Sequence, residues 1–151
     1  MMFKRVVGGQ SKPHVLIEGA PPRVFSQGGF SLTEIWATEG SLPDLKDERD
    51  LTTGFDRFRM DLAPGATRFR IVEFPPTDSP GVMHKTPTVD YLVLLEGEID
   101  LIFQDGSEAH LRQGDCVVQL GGMHAWHNRS GAPTRMAAVA VGGTGGEHTL
   151  R

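Results

Sequence analysis

Two stretches, 81-GVMHKTPTVDYLVLLEGEI-99 and 114-GDCVVQLGGMHAWHN-128, decide the reading of this chain. Each is rich in β-branched and apolar residues, contains a histidine and is bracketed by glycines, as strands held between tight turns are. Side chains of an extended strand alternate faces with a period of two. His84, Thr86, Thr88 and Asp90 therefore share one face, continued by Leu92 and Leu94, and that face passes from polar to apolar. The alternate set, Val89, Tyr91, Val93 and Leu95, is apolar as well, which predicts a strand buried on both sides. In the second stretch His124, Trp126 and Asn128 share a face, while Ala125 and His127 take the other. His124 is thus expected to meet His84 and Asp90 inside a barrel or sandwich.

The flanking sequence has the same rhythm. Across residues 5–40, short strands are expected at Val15–Ile17, Arg23–Phe25 and Leu32–Thr38, punctuated by GAPP and SQGG turns. Residues 41–54, SLPDLKDERDLTTG, allow a brief helical turn or a solvated loop, and a loop acting as a lid or a dimer contact is expected. FRMDLAPGATRFRIVEFPP reads as a strand, an Ala-Pro-Gly turn and a second strand in which Arg68, Arg70 and Val72 alternate with Phe69, Ile71 and Glu73. Alternating arginines there are expected on an outer face, or as cationic contacts for a substrate carboxylate. Asp105-Gly106 predicts a type I′ hairpin, TRMAAVAV a closing strand, and residues 143–151 a mobile glycine-rich tail. Many short strands without a long amphipathic helix predict an all-β double-sheet roll or barrel.

A length of 151 residues suits one domain, with its core over about 60–142. Fifteen Lys and Arg against nineteen Asp and Glu leave a net charge of −4, with the basic residues scattered, so neither nucleic acid nor membrane is an expected partner. The single cysteine, Cys116, excludes an internal disulfide and is expected to be buried in its CVV run. The amino terminus lacks an apolar run of signal-peptide length, so a soluble, cytoplasmic protein is expected.

The two stretches resemble the paired motifs of the cupin family: His-x-His, a Glu and a Gly in the first, and a His-x-x-x-Asn ending in the second. His84 falls on the first histidine, Asp90 on the glutamate seven residues before Gly97, and His124 with Asn128 on the second motif opened by Gly114 and Asp115. Thr86 stands at the family's second histidine, and the second motif is one residue shorter, with Leu120 near the usual proline. The stretch MHKTPTVDY with HAWHNRSG also resembles a mostly uncharacterised bacterial cupin subfamily. The resemblance covers residues 81–141 most clearly. It implies a double-stranded β-helix, a jelly-roll barrel with extra amino-terminal strands, and pairing of two chains into a homodimer.

The resemblance also implies a site. His84, Asp90 and His124 are the metal ligands it points to, two imidazoles and one carboxylate around Fe, Mn, Ni, Zn or Co. Thr86, Leu92, Leu94 and Trp126 are expected to contact a small-molecule substrate, with Trp126 able to stack on an aromatic one. His127 should face away, His110 lie in an exposed hairpin arm, and His14 and His148 lie near the ends. Asn128 should satisfy backbone groups at a strand end. Three functions fit: a metal-dependent enzyme on a small organic acid or aromatic metabolite, such as a decarboxylase, dioxygenase or isomerase; a non-catalytic small-molecule binder with a degenerate metal site; and a metal-free acid/base isomerase.

Overall fold

The computed structural model describes residues 3–10 and 14–147, so His148 and the end of the expected tail, 148–151, lie outside the described residues. Eleven strands are described: β1 Arg5–Gly8, β2 Val15–Gly19, β3 Arg23–Gln27, β4 Phe30–Thr38, β5 Thr67–Phe74, β6 Thr88–Glu96, β7 Glu98–Phe103, β8 Glu108–Arg112, β9 Cys116–Gln119, β10 His124–His127 and β11 Thr134–Gly142. A six-stranded sheet runs β3-β4-β5-β11-β6-β9, a three-stranded one β10-β7-β8, and β1 and β2 pair as an antiparallel hairpin. This is the expected all-β, double-stranded β-helix architecture, a jelly-roll barrel preceded by amino-terminal strands. No helix of the described residues is long and apolar enough to cross a membrane.

The two larger sheets close on an apolar core. Leu32, Val72, Met136 and Leu94 come from β4, β5, β11 and β6, and Ile99 of β7 meets them from the smaller sheet. Each such side chain contributes about 1.5–3 kcal/mol when fully buried. The chain passes between the sheets through Gly97, whose φ of 81° favours glycine. A Cβ there would stand 2.8 Å from Thr134 Oγ1 and 3.1 Å from the Pro133 carbonyl oxygen. Thr134, itself buried, donates its hydroxyl to the Glu98 carbonyl at 2.7 Å and holds that crossing closed.

Several expectations are corrected. Phe58–Leu62 is not a strand, because β5 is hydrogen-bonded to β4 on one edge and β11 on the other, leaving no edge for a hairpin partner. The expected closing strand does form, as β11, and lies between β5 and β6. The turn between β7 and β8 places only Gly106 at positive φ, at 83°, so it is not type I′; Asp105 instead accepts from the Ser107 N–H and hydroxyl. Strand β6 is not buried on both sides: Tyr91 is 51% exposed and Leu95 38%. Cys116 is exposed, since it sits on edge strand β9 with its side chain outward beside Val93.

The 41–54 segment is irregular until a short 3₁₀ turn at Leu51–Gly54, capped by Asp50. It is tied to the amino-terminal hairpin and, through Thr53 and the 3₁₀ turn, to β3 and β4, and none of its residues is among those lining the cavity described below. Arg5 forms an ion pair with Asp50, with side chains 5% and 10% exposed, and also donates to the Ile35 carbonyl at 3.0 Å.

Candidate functional site

The inward face of β6 and the strand opposite it build one cavity. His84 and His124 form an isolated antiparallel bridge, each backbone N–H donating to the other's carbonyl at 2.9 Å. Residues opposed in this way project side chains to the same face, so the two rings come together, centroids 4.5 Å apart. The next inward residues on the β6 side, Thr86, Thr88, Asp90 and Leu92, line the same cavity, as does Trp126, and its volume is about 200 Å³.

The backbone also fixes the protons on the imidazoles. His84 Nδ1 lies 2.8 Å from the Val82 carbonyl and His124 Nδ1 lies 2.8 Å from the Gly122 carbonyl. A carbonyl only accepts, so both Nδ1 atoms carry hydrogen and, in the neutral rings, both Nε2 atoms carry lone pairs. Among the described residues neither Nε2 has a hydrogen-bond partner. Burial holds the His124 pKa below its ordinary value, the Gly122 bond opposes this, and the neighbouring His84 adds to the lowering.

Asp90 completes the polar side. The Thr88 hydroxyl donates to Asp90 Oδ1 at 2.8 Å, and its oxygen lies 2.8 Å from the Thr86 hydroxyl. With the Thr88 proton spent on Asp90, Thr86 donates to Thr88 in turn. Burial raises the Asp90 pKa, partly opposed by the Thr88 bond and then by the positive character of His124, Arg70 and His84. Asp90 therefore retains a proton more readily than an ordinary aspartate.

Of the expected metal set, His84 and His124 are brought together, and Asp90 shares their cavity. The carboxylate, however, is turned onto Thr88, and among the described residues no three His, Cys, Asp or Glu side chains stand as a metal-ligating group. As folded, the donors do not fit a three-ligand centre, and Thr86 leaves the remaining position without an imidazole. Of the expected substrate contacts, Thr86, Leu92 and Trp126 line the cavity. Leu94 does not; at 2% exposure it belongs to the core beneath.

The other assignments separate clearly. His127 is buried on the opposite face, its Nε2 3.1 Å from the Thr77 carbonyl. Asn128 donates to the Phe74 and Ala132 carbonyls at 3.0 and 2.7 Å, the strand-end role expected of it. His110 bonds Asp100 on the outside of the smaller sheet.

Three features escape the sequence pattern. Arg68 and Arg70 are not on an outer face; they are 4% and 7% exposed, pointing inward with Val72. Arg70 lines the cavity, donates through Nε to both oxygens of the buried Glu34 at 3.0 and 3.1 Å, and packs over Phe58 at 5.3 Å. Phe58 and Met60, from the irregular segment, wall the cavity where the 41–54 loop was expected to act as a lid. Ala138 and Ala140 of β11 form part of the lining between β5 and β6. The shared parity of Arg68, Arg70 and Val72 was the signal for inward arginines. Phe74, 5.9 Å from Trp126, and Trp126, nearly perpendicular to His124 at 6.1 Å, supply an aromatic side to the pocket.

No family model matches the chain. It is 30% identical over 139 residues to a Neurospora crassa protein named cupin-domain-containing oxidoreductase srdB, covering 89% of this chain and 70% of the relative. It is 38% identical over 99 residues to phomopsin biosynthesis cluster protein D of Diaporthe leptostromiformis, covering 63% of this chain and 51% of that one. The chain thus spans about half the length of the latter relative. Among solved structures, a sugar phosphate isomerase of the cupin superfamily from Silicibacter pomeroyi aligns over 75% of this chain and 59% of its own, with a TM-score of 0.48 and 18% identity. The two relatives are fungal, so the expected bacterial subfamily is not supported.

Proposed function

The chain belongs to the cupin family, and from that premise we propose that it is an enzyme moving protons on a small, largely apolar carbonyl compound, with His84 and His124 as the reaction centre. The observation that carries this reading is the imidazole pair, whose Nδ1–H groups are both spent on backbone carbonyls while both Nε2 atoms are left without a partner among the described residues. An unprotonated Nε2 in a confined pocket is a general base; the matched pair offers a second site to hold or return the proton.

The chemistry balances within the pocket. One Nε2 takes the proton from a carbon beside a carbonyl, and the C–H electron pair moves through the new C=C bond to the oxygen as an enolate. The raised pKa of Asp90 suits its free oxygen to hold a proton and donate to that enolate. Return of a proton from the imidazolium to the carbon restores the ligand, or to a neighbouring conjugated atom gives its isomer. Leu92, Phe74 and Trp126 exclude water from this exchange and hold the apolar body.

The test is hydrogen exchange of phenylacetone in D₂O with a chelator present, followed by NMR. The expected result is acceleration by the wild-type protein that is lost in His84→Ala and in His124→Ala. Equal rates in all three proteins would reject the imidazole pair as a reaction centre and leave a binding protein as the better reading.

A second reading uses the same residues. The fixed tautomers of His84 and His124 are those that metal-binding imidazoles adopt, and rotation of Asp90 away from Thr88 would supply a carboxylate as third ligand. A divalent ion held there would polarise the substrate carbonyl as a Lewis acid. Elemental analysis separates the readings: about one ion per chain, lost with His84→Ala, favours this one.

A further inference from the structure

Among the described residues one lysine or arginine lines the pocket, Arg70, and it stands on a different strand from Asp90. Arg70 belongs to β5 and Asp90 to β6, with β11 between them. In register, Arg70 is matched by Ala138 and Asp90 by Ala140. Two strand spacings separate β5 from β6, about 10 Å, and over that span the intervening strand offers only methyl groups. The cavity is therefore lined by a guanidinium from β5, a carboxyl from β6 and an imidazole pair, with apolar walls around them.

The guanidinium is not fully engaged. Both Glu34 oxygens are taken up by Nε alone, and Nη2 donates to the Arg59 carbonyl. Among the described residues Nη1 has no partner, although the side chain is 8% exposed and lines the cavity. A salt bridge serving only to bury Arg70 would use the fork of Nε and an Nη together. Here Glu34 and the Arg59 carbonyl fix the plane of the guanidinium while one donor nitrogen stays available.

We propose that Arg70 is the specificity-determining anchor for a carboxylate on the ligand, so that this site takes small apolar or aromatic monocarboxylic acids that carry a separate ketone or aldehyde carbonyl, with the acid group on Arg70 and the carbon beside that carbonyl at His84 and His124. The inference rests on the reaction centre proposed above and adds the substrate class. The dimensions agree: an engineered cavity of about 150 Å³ holds benzene, and about 200 Å³ holds an aryl ring with a short acid arm. Arg70 is assigned its role by charge-assisted hydrogen bonding, which discriminates an acid from its neutral amide of the same shape.

Titration calorimetry with phenylacetate and phenylacetamide tests the assignment. The expected result is binding of phenylacetate at least tenfold tighter than phenylacetamide by the wild-type protein, a preference abolished in Arg70→Met. Because Arg70→Met strands the buried Glu34 carboxylate and risks unfolding, the double variant Arg70→Met/Glu34→Met, which removes both buried charges, is measured beside it. His84→Ala should retain the preference. Equal affinity of the two probes for the wild type, no binding of phenylacetate, or a preference that survives in a folded double variant would overturn the anchor. Loss of the anchor with phenylacetone exchange still abolished by His84→Ala would leave the reaction centre standing. A carboxylate preference with no exchange in any protein would remove the reaction centre and keep the anchor.

Discussion

His84 and His124 face each other as a hydrogen-bonded backbone pair, so the proximity of their rings is a property of strand pairing and not of side-chain attraction. The backbone bonds survive truncation of either ring. Replacing either histidine with alanine should therefore lower exchange at least about 100-fold while changing stability by no more than about 1 kcal/mol. Paired exchange rates and urea midpoints check this. Cooperative unfolding of His84→Ala several-fold more readily would mean that the ring is structural.

Leu92 and Leu94 lie on the same face of β6 and should behave differently. Leu94 packs against Ile99 and Met136 in the core, so Leu94→Ala is expected to cost about 2–5 kcal/mol. Leu92 lines the cavity, and Leu92→Ala should chiefly weaken binding of phenylacetate. Denaturation and calorimetry on both variants provide the comparison, and equal stability losses would contradict the assignment.

Asp50 neutralises Arg5 where the amino-terminal hairpin meets the 3₁₀ turn. Asp50→Ala leaves a buried guanidinium without its counter-charge and should cost about 3–5 kcal/mol. Asp50→Ala combined with Arg5→Met should recover much of that loss. Thermal denaturation of the pair decides it; a double variant no better than the single would place the cost elsewhere.

His110 gives a pH signature. The Asp100 bond at 2.7 Å raises its pKa above the ordinary 6.5, burial opposes this, and Glu98 at 3.2 Å adds to the rise. The folded state therefore binds the proton more tightly than the unfolded one. The stabilisation is complete below pH 6.5 and disappears as pH rises through the folded-state pKa. The Tm difference between wild type and His110→Asn should accordingly be largest below pH 6.5 and shrink above it. A difference growing with pH would show the sign to be wrong.

The outer face of the large sheet exposes Tyr91, Val118, Phe69 and Leu95. Self-association through this face is the homodimer expectation in concrete form. Sedimentation should give twice 16.5 kDa for the wild type and a reduced mass for Tyr91→Lys. A single-chain mass for the wild type would reject it.

The barrel was legible because period-two alternation and glycine turns are local signals. His84, Thr86, Thr88 and Asp90 needed only strand parity to be placed together, and His124 needed only the second motif. What parity could not supply was a direction. Arg68 and Arg70 share a face with Val72, but charge suggested the outside; the structure turns them inward because Glu34 of β4 and Glu39 accept them. Tyr91 shows the converse, an apolar residue in a central strand left half exposed because its neighbouring sheet face is uncovered. The irregular path of Phe58–Leu62 was invisible because it depends on both edges of β5 being taken by strands distant in sequence.

Ala138 and Ala140 lie on a strand that is hydrogen-bonded along both edges, so its backbone has no room to retreat from a larger side chain. A valine or leucine there would consume space beside Arg70 or Asp90 while leaving every imidazole, carboxyl and guanidinium of the pocket in the chain. The barrel thus keeps ligand size and ligand chemistry on different strands, and a descendant of this chain can change the first by point mutation while inheriting the second intact.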